Sequence, residues 1–154
     1  MDKRKKILVL RTAKMQVVNL LMESLGGDDS ITFLAQSNIV GELKKLYPFA
    51  EVISIKDTYF SYDSFCKNVH LNSKYDYVYI LASGVEFAEY EEVFEIVEHI
   101  KCKKIVLFNK NGIASVERCN VFKRIKEYLY FVFVKIFLRI EEFRFGHFGK
   151  NYRF

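Results

Sequence analysis

Four apolar residues in a row, Ile7-Leu8-Val9-Leu10, stand between Lys6 and Arg11 with no polar alternation. A strand that wets one face alternates; an unbroken run fits a strand covered on both faces, as at the centre of a parallel sheet. The chain then passes through Thr12-Ala13-Lys14 into Met15, Val18, Leu21, Met22 and Leu25, spaced as on one face of a helix. A buried first strand that hands over to a helix opens an α/β domain. Ligands of open α/β sheets lie beyond the carboxyl ends of the strands, which puts Arg11, Thr12 and Lys14 at the rim of any site. The plainer alternative is that Arg11 only solvates a strand end.

The same alternation continues downstream. Ile31–Ala35, Glu51–Ile55, Asp76–Leu81 and Lys104–Phe108 read as four further strands, the one at 51–55 alternating as an edge strand does. Helices are expected at 39–46, with Ser37 or Asn38 as N-cap and Tyr47-Pro48 as stop, at 63–72, and at 86–100. In the last of these, Phe87, Tyr90, Val93, Phe94, Val97 and Ile100 form the inward stripe. Strands alternating with helices imply a parallel sheet with right-handed crossovers. The expected fold is therefore α/β: a Rossmann-like open parallel five-stranded sheet of order 3-2-1-4-5 over residues 1–115, then a tail over 116–154.

At 154 residues the chain is long enough for one domain with a real core. The tail is of another character. From Val121 to Phe143 there is neither Gly nor Pro, and Phe122, Ile125, Leu129, Val132, Phe133, Ile136 and Ile140 recur at three- and four-residue steps. A long amphipathic helix is expected, framed by Lys123, Arg124, Lys126, Arg139 and Arg144. Residues 117–154 hold nine of the 24 Lys and Arg but four of the 19 Asp and Glu, so the whole net charge of +5 belongs to the tail. This argues against a nucleic-acid groove on the main domain and for an electrostatic partner at the tail. About 20 apolar residues span a bilayer; the uninterrupted run here is shorter, so a helix lying on an anionic membrane surface fits better than a span. Packing on the sheet, or pairing in a homodimer, are the alternatives.

Several chemistries lack their motifs. No GxGxxG follows the first strand and no GxxxxGK[ST] occurs, so no nucleotide cofactor is expected. The histidines (His70, His99, His147) and cysteines (Cys66, Cys102, Cys119) have no metal-ligand spacing, so no metal is expected either. Three scattered cysteines and a short apolar run after the basic start read as a cytoplasmic chain, peripheral on the inner membrane face if the tail binds there. Ser83 is not in a GxSxG elbow. Glu86, in the first turn of its helix, is a weak candidate base, and equally a residue that favours the helix dipole. The polar groups expected at the carboxyl edge are Arg11, Thr12, Lys14, Gln36, Ser37, Asn38, Ser83, Gly84, Asn109 and Asn111, with Gly84 allowing close approach of the backbone. Such a set suits a sugar or a phosphate.

The segments KILVLRTAKMQVV, ITFLAQSNIVGELKKLYPFAEVISI, YDYVYILASG and KKIVLFNKNG together resemble the N-terminal, acceptor-side half of GT-B glycosyltransferases of the heptosyltransferase type (glycosyltransferase family 9-like), over about residues 6–112. The resemblance implies a Rossmann-like fold and a role in cell-surface polysaccharide or glycolipid synthesis. It also implies a glycan or lipid-linked acceptor and, because such sites lie between two domains, a separate donor-binding subunit. Where that family carries a Gly-Asp with a catalytic Asp, this chain reads Ala13-Lys14-Met15-Gln16. The donor domain is replaced by the tail. A split or non-catalytic acceptor-side half is therefore expected. The alternative is a non-enzymatic interaction module that assembles through its C-terminal helix.

Overall fold

The computed structural model describes residues 4–57, 59–84 and 90–118. In chain order the elements are β1 (Lys6–Leu10), α1 (Met15–Ser24), β2 (Ser30–Gln36), α2 (Val40–Leu46), β3 (Glu51–Ile55), α3 (Tyr62–Asn68), β4 (Tyr75–Ala82), α4 (Glu91–Glu98), β5 (Cys102–Asn109) and β6 (Gly112–Arg118). The sheet order is β3-β2-β1-β4-β5-β6. The pairs β1–β2, β2–β3, β1–β4 and β4–β5 are parallel, with Leu8 opposite Thr32 on one side and Val78 on the other.

The central strand explains its own sequence. Ile7, Leu8, Val9 and Leu10 are each at most 1% exposed. Leu8 and Leu10 point into a core shared with α3 and α4 through Phe65, Val93, Ile96 and Val97. Ile7 and Val9 point into a second core with Val17, Val18 and Leu21 of α1 and Leu43 of α2. An unbroken apolar run is what a strand needs when both faces are covered. β3 is the edge strand its alternation predicts: its exposed Glu51 accepts a hydrogen bond from Thr32 Oγ1 at 3.1 Å.

Helices α1 and α2 lie on one face of the sheet, α3 and α4 on the other. The chain builds outward from β1 to β3, then returns to lay β4 on the opposite side of β1. Keeping one hand of crossover while reversing direction forces this change of face. In sheets of this topology ligands bind beyond the carboxyl ends of the strands at such a reversal, here between β1 and β4.

The sheet differs from the expected one in a sixth strand. β6 pairs antiparallel with β5, with a register shift at Leu107/Phe108, so the sheet is mixed rather than wholly parallel. The turn Asn109-Lys110-Asn111-Gly112 is thus a hairpin turn. Gly112 sits at φ +104°, where a side chain would be strained, and Asn109 Oδ1 accepts the Asn111 backbone N–H at 2.8 Å. β6 runs to Arg118, so the expected division after residue 115 falls inside a strand.

Three helix expectations shift as well. Ser37 and Asn38 do not cap α2; Ser37–Ile39 forms a short 3-10 turn, and Ile39 is the N-cap, with no side-chain bond. α3 ends at Asn68 rather than 72, and its N-cap Ser61 accepts from the Ser64 backbone N–H. The described part of the helix expected at 86–100 is α4; residues 85–89, with Glu86 and Phe87, lie outside the described residues. The tail stripe of Phe122, Ile125, Leu129, Val132, Phe133, Ile136 and Ile140 lies outside them too.

Candidate functional site

The site is the row of strand ends along the carboxyl edge of β1, β2, β3 and β4. It is built from β1 outward. The Arg11 backbone N–H donates to the Leu34 carbonyl at 2.9 Å, which ties the exit of β1 to β2. Thr12 folds back so that its N–H reaches the Leu10 carbonyl at 2.9 Å. That tight turn lets Thr12 Oγ1 donate to the carbonyl of Leu81 in β4. Two residues on, the Lys14 backbone N–H donates to Ser83 Oγ at 3.0 Å. Both bonds cross the switch between β1 and β4, so the two segments that follow these strands are tied to each other. Ala13, buried in the α1-side core, anchors the turn from below.

The Arg11 side chain leans toward β2. Its Nη1 donates to Gln36 Oε1 at 3.5 Å, and its Nε is buried without a partner among the described residues. Burial pushes the Arg11 pKa down, and the field of Glu42 partly opposes this. Ser37 Oγ donates to the Lys56 carbonyl at 3.4 Å, which joins the exit of β2 to that of β3. Lys14 is the N-cap of α1, whose first turn carries no acidic residue. The positive end of that helix dipole therefore has no carboxylate of its own element beside it.

The predicted residues thus divide. Arg11 and Gln36 meet, Thr12 reaches β4, Lys14 meets Ser83, and Ser37 reaches the β3 end. Asn38 and Gly84 are exposed at the same edge. Asn109 ends β5 opposite Ala82, at the same carboxyl edge, and its Oδ1 accepts the Asn111 backbone N–H in the β5–β6 turn. Asn111 lines a cleft of about 450 Å³ with Leu20, Leu25, Tyr79, Phe108 and Ile113, on the α1 face of the sheet. Sequence reasoning missed the Leu81 carbonyl, Glu42, Lys56 and this cleft. A backbone acceptor leaves no mark in sequence, and the cleft depends on β6.

Chemically, the edge offers an arginine fork, side-chain amide groups and hydroxyls, which suits an oxygen-rich ligand. Among the described residues no three His, Cys, Asp or Glu side chains cluster as a metal site. Among them, no helix is long and apolar enough to cross a membrane. Comparison with known proteins returns no matching family model and no matching curated protein.

Proposed function

We propose that the chain is a glycosyltransferase-like, acceptor-side half of the heptosyltransferase type that binds a glycan or lipid-linked acceptor at its carboxyl edge. It acts at an anionic membrane surface in cell-surface polysaccharide or glycolipid synthesis, peripheral on the cytoplasmic face. The observation that carries the reading is the placement of Arg11, Gln36, Thr12 and Ser83 along the strand ends beside the β1/β4 switch. The Rossmann-like order 3-2-1-4-5 within the sheet agrees with the resemblance of residues 6–112. With Ala13-Lys14-Met15-Gln16 in place of the family's Gly-Asp, the chain binds acceptor and leaves sugar transfer to a donor-binding subunit. The basic, aromatic tail is its membrane contact.

The test titrates the full chain with neutral oligosaccharides and follows backbone amides, then sediments it with anionic and with neutral vesicles at low and high salt. The reading expects saturable shifts at residues 11–14, 36–38 and 83–84, and salt-sensitive binding to anionic vesicles alone. Shifts spread evenly over the domain, or none, remove the acceptor role; vesicle binding indifferent to lipid charge and salt removes the membrane role.

A second reading, a non-enzymatic module that assembles through an apolar surface, is favoured by one observation. Ile113 and Val116 of β6 are 63% and 52% exposed. A concentration-dependent dimer without any sugar response supports that reading instead.

A further inference from the structure

The Arg11 side chain does not extend freely into water as a cation that only solvates a strand end would. A solvating arginine extends its guanidinium into water. Here Nε is out of solvent and, among the described residues, has no acceptor, and the side-chain bond to Gln36 is long at 3.5 Å. Among the described residues no carboxylate lies within ion-pair distance of Arg11; the pair formed there is Lys103 with Asp76. Nη2 is not fully buried and makes no bond to a described residue. A half-desolvated charge whose hydrogen bonds are incomplete raises the free energy of the native state. The backbone bond of Arg11 to Leu34 nevertheless pins the residue in place. Such a group is retained where a ligand completes it.

We propose that Arg11 is the receptor for an oxyanion, a phosphate or a carboxylate carried by the ligand of the carboxyl edge, taken end-on by Nη1 and Nη2 with Gln36 holding the fork in orientation. The inference rests on the reading of this edge as a ligand site and adds the charge of the ligand. Planar, two-point recognition of an oxyanion is what a guanidinium does and an ammonium does not. Lys56, exposed just past the end of β3 next to Ser37, adds positive potential on the same side. Glu42, whose field acts on Arg11, opposes it.

The experiment uses the full chain labelled with nitrogen-15, with the Arg11 Nε–H signal assigned by its loss in Arg11→Lys. Sodium phosphate, sodium glucuronate and neutral glucose are added at constant ionic strength. The expected result is a saturable shift of the Arg11 Nε–H and of the Gln36 and Ser37 amides with an oxyanion. Affinity falls at least tenfold in Arg11→Gln and is unchanged in Lys104→Gln, on β5. A response to phosphate alone identifies a phosphorylated ligand; a response to glucuronate alone identifies an acidic sugar. If Arg11→Gln does not fold, Arg11→Lys takes its place, with a severalfold loss expected because the charge stays and the fork goes. Affinity unchanged in the folded variant overturns the proposal. If glucose shifts the edge amides and neither oxyanion does, the proposal falls while the acceptor reading stands; if nothing shifts them, both fall.

Discussion

Thr12 and Leu81 are hydrogen-bonded across the topological switch: the hydroxyl at the exit of β1 donates to a backbone carbonyl near the end of β4, 69 residues away in sequence. The bond lies at the switch point where ligands of such sheets bind. It comes with a second, from the Lys14 N–H to Ser83 Oγ over the same separation. Neither is needed to form the sheet, which is already paired through β1–β4. Their effect is to hold the two rim loops in one arrangement, which lowers the ordering cost when a ligand binds.

Removing the hydroxyl of Thr12 tests this. Thr12→Val keeps the shape and leaves the Leu81 carbonyl without its donor, which costs about 1 kcal/mol. Ser83→Ala costs a similar amount. Because both bonds close the same pair of loops, the double variant loses less than the two single losses added together. Urea midpoints of the four proteins measure it; simple additivity means that the two bonds act independently.

Much of the sheet was legible because burial on both faces has a one-dimensional signature. The run at 7–10 and the near-continuous run at 76–81 mark β1 and β4, and the alternation at 51–55 marks the edge strand. β6 was not legible. Its turn carries Asn111-Gly112, but its alternation is broken beside the register shift at Leu107/Phe108, and Ile113 and Val116 are exposed. The start of α2 was misplaced because Ser37, a residue type that caps helices, spends its hydroxyl on the Lys56 carbonyl instead. The site was legible as a row of strand ends but not as contacts. Arg11 to Gln36 is set by strand register and side-chain rotamer, and Lys14 to Ser83 by the sheet order.

Two buried tyrosines make stability fall in alkali. Tyr75 and Tyr79 are 4% and 8% exposed on opposite faces of β4, and burial raises the pKa of both above the ordinary 10.0. The unfolded chain therefore ionises first as pH rises past 10 and is favoured by doing so. The stabilisation is complete below that pH and is lost as pH climbs toward the folded-state values. Urea midpoints between pH 8 and 11.5 are expected to drop less steeply in Tyr79→Phe than in the parent. Equal slopes would place Tyr79 in water.

The two cores and the hairpin predict a contrast in cost. Leu34, fully buried on the α3/α4 side, and Phe33, fully buried on the α1/α2 side, each lose about 2–5 kcal/mol on replacement by Ala. Ile113→Ser, at a side chain 63% exposed, stays within about 0.5 kcal/mol. Thermal melts rank the three. A large loss at Ile113 would mean that this apolar face is covered in solution, which favours the assembling module over the acceptor-binding half.

Two glycine-to-alanine changes should move stability in opposite directions. Gly112 holds φ +104° at the β5–β6 turn, where a Cβ meets nothing but the backbone conformation itself excludes it. Gly112→Ala therefore costs about 1 kcal/mol or more, through strain rather than collision. Gly41 lies in α2, exposed, with nothing within 4 Å of an added Cβ. There alanine restricts only the unfolded chain, and stability rises by about 0.5 kcal/mol. The same chemical change thus separates a position that needs the freedom of glycine from one that does not. Paired urea melts read the sign directly, and a stabilising Gly112→Ala would mean that the hairpin turn does not take this form in solution.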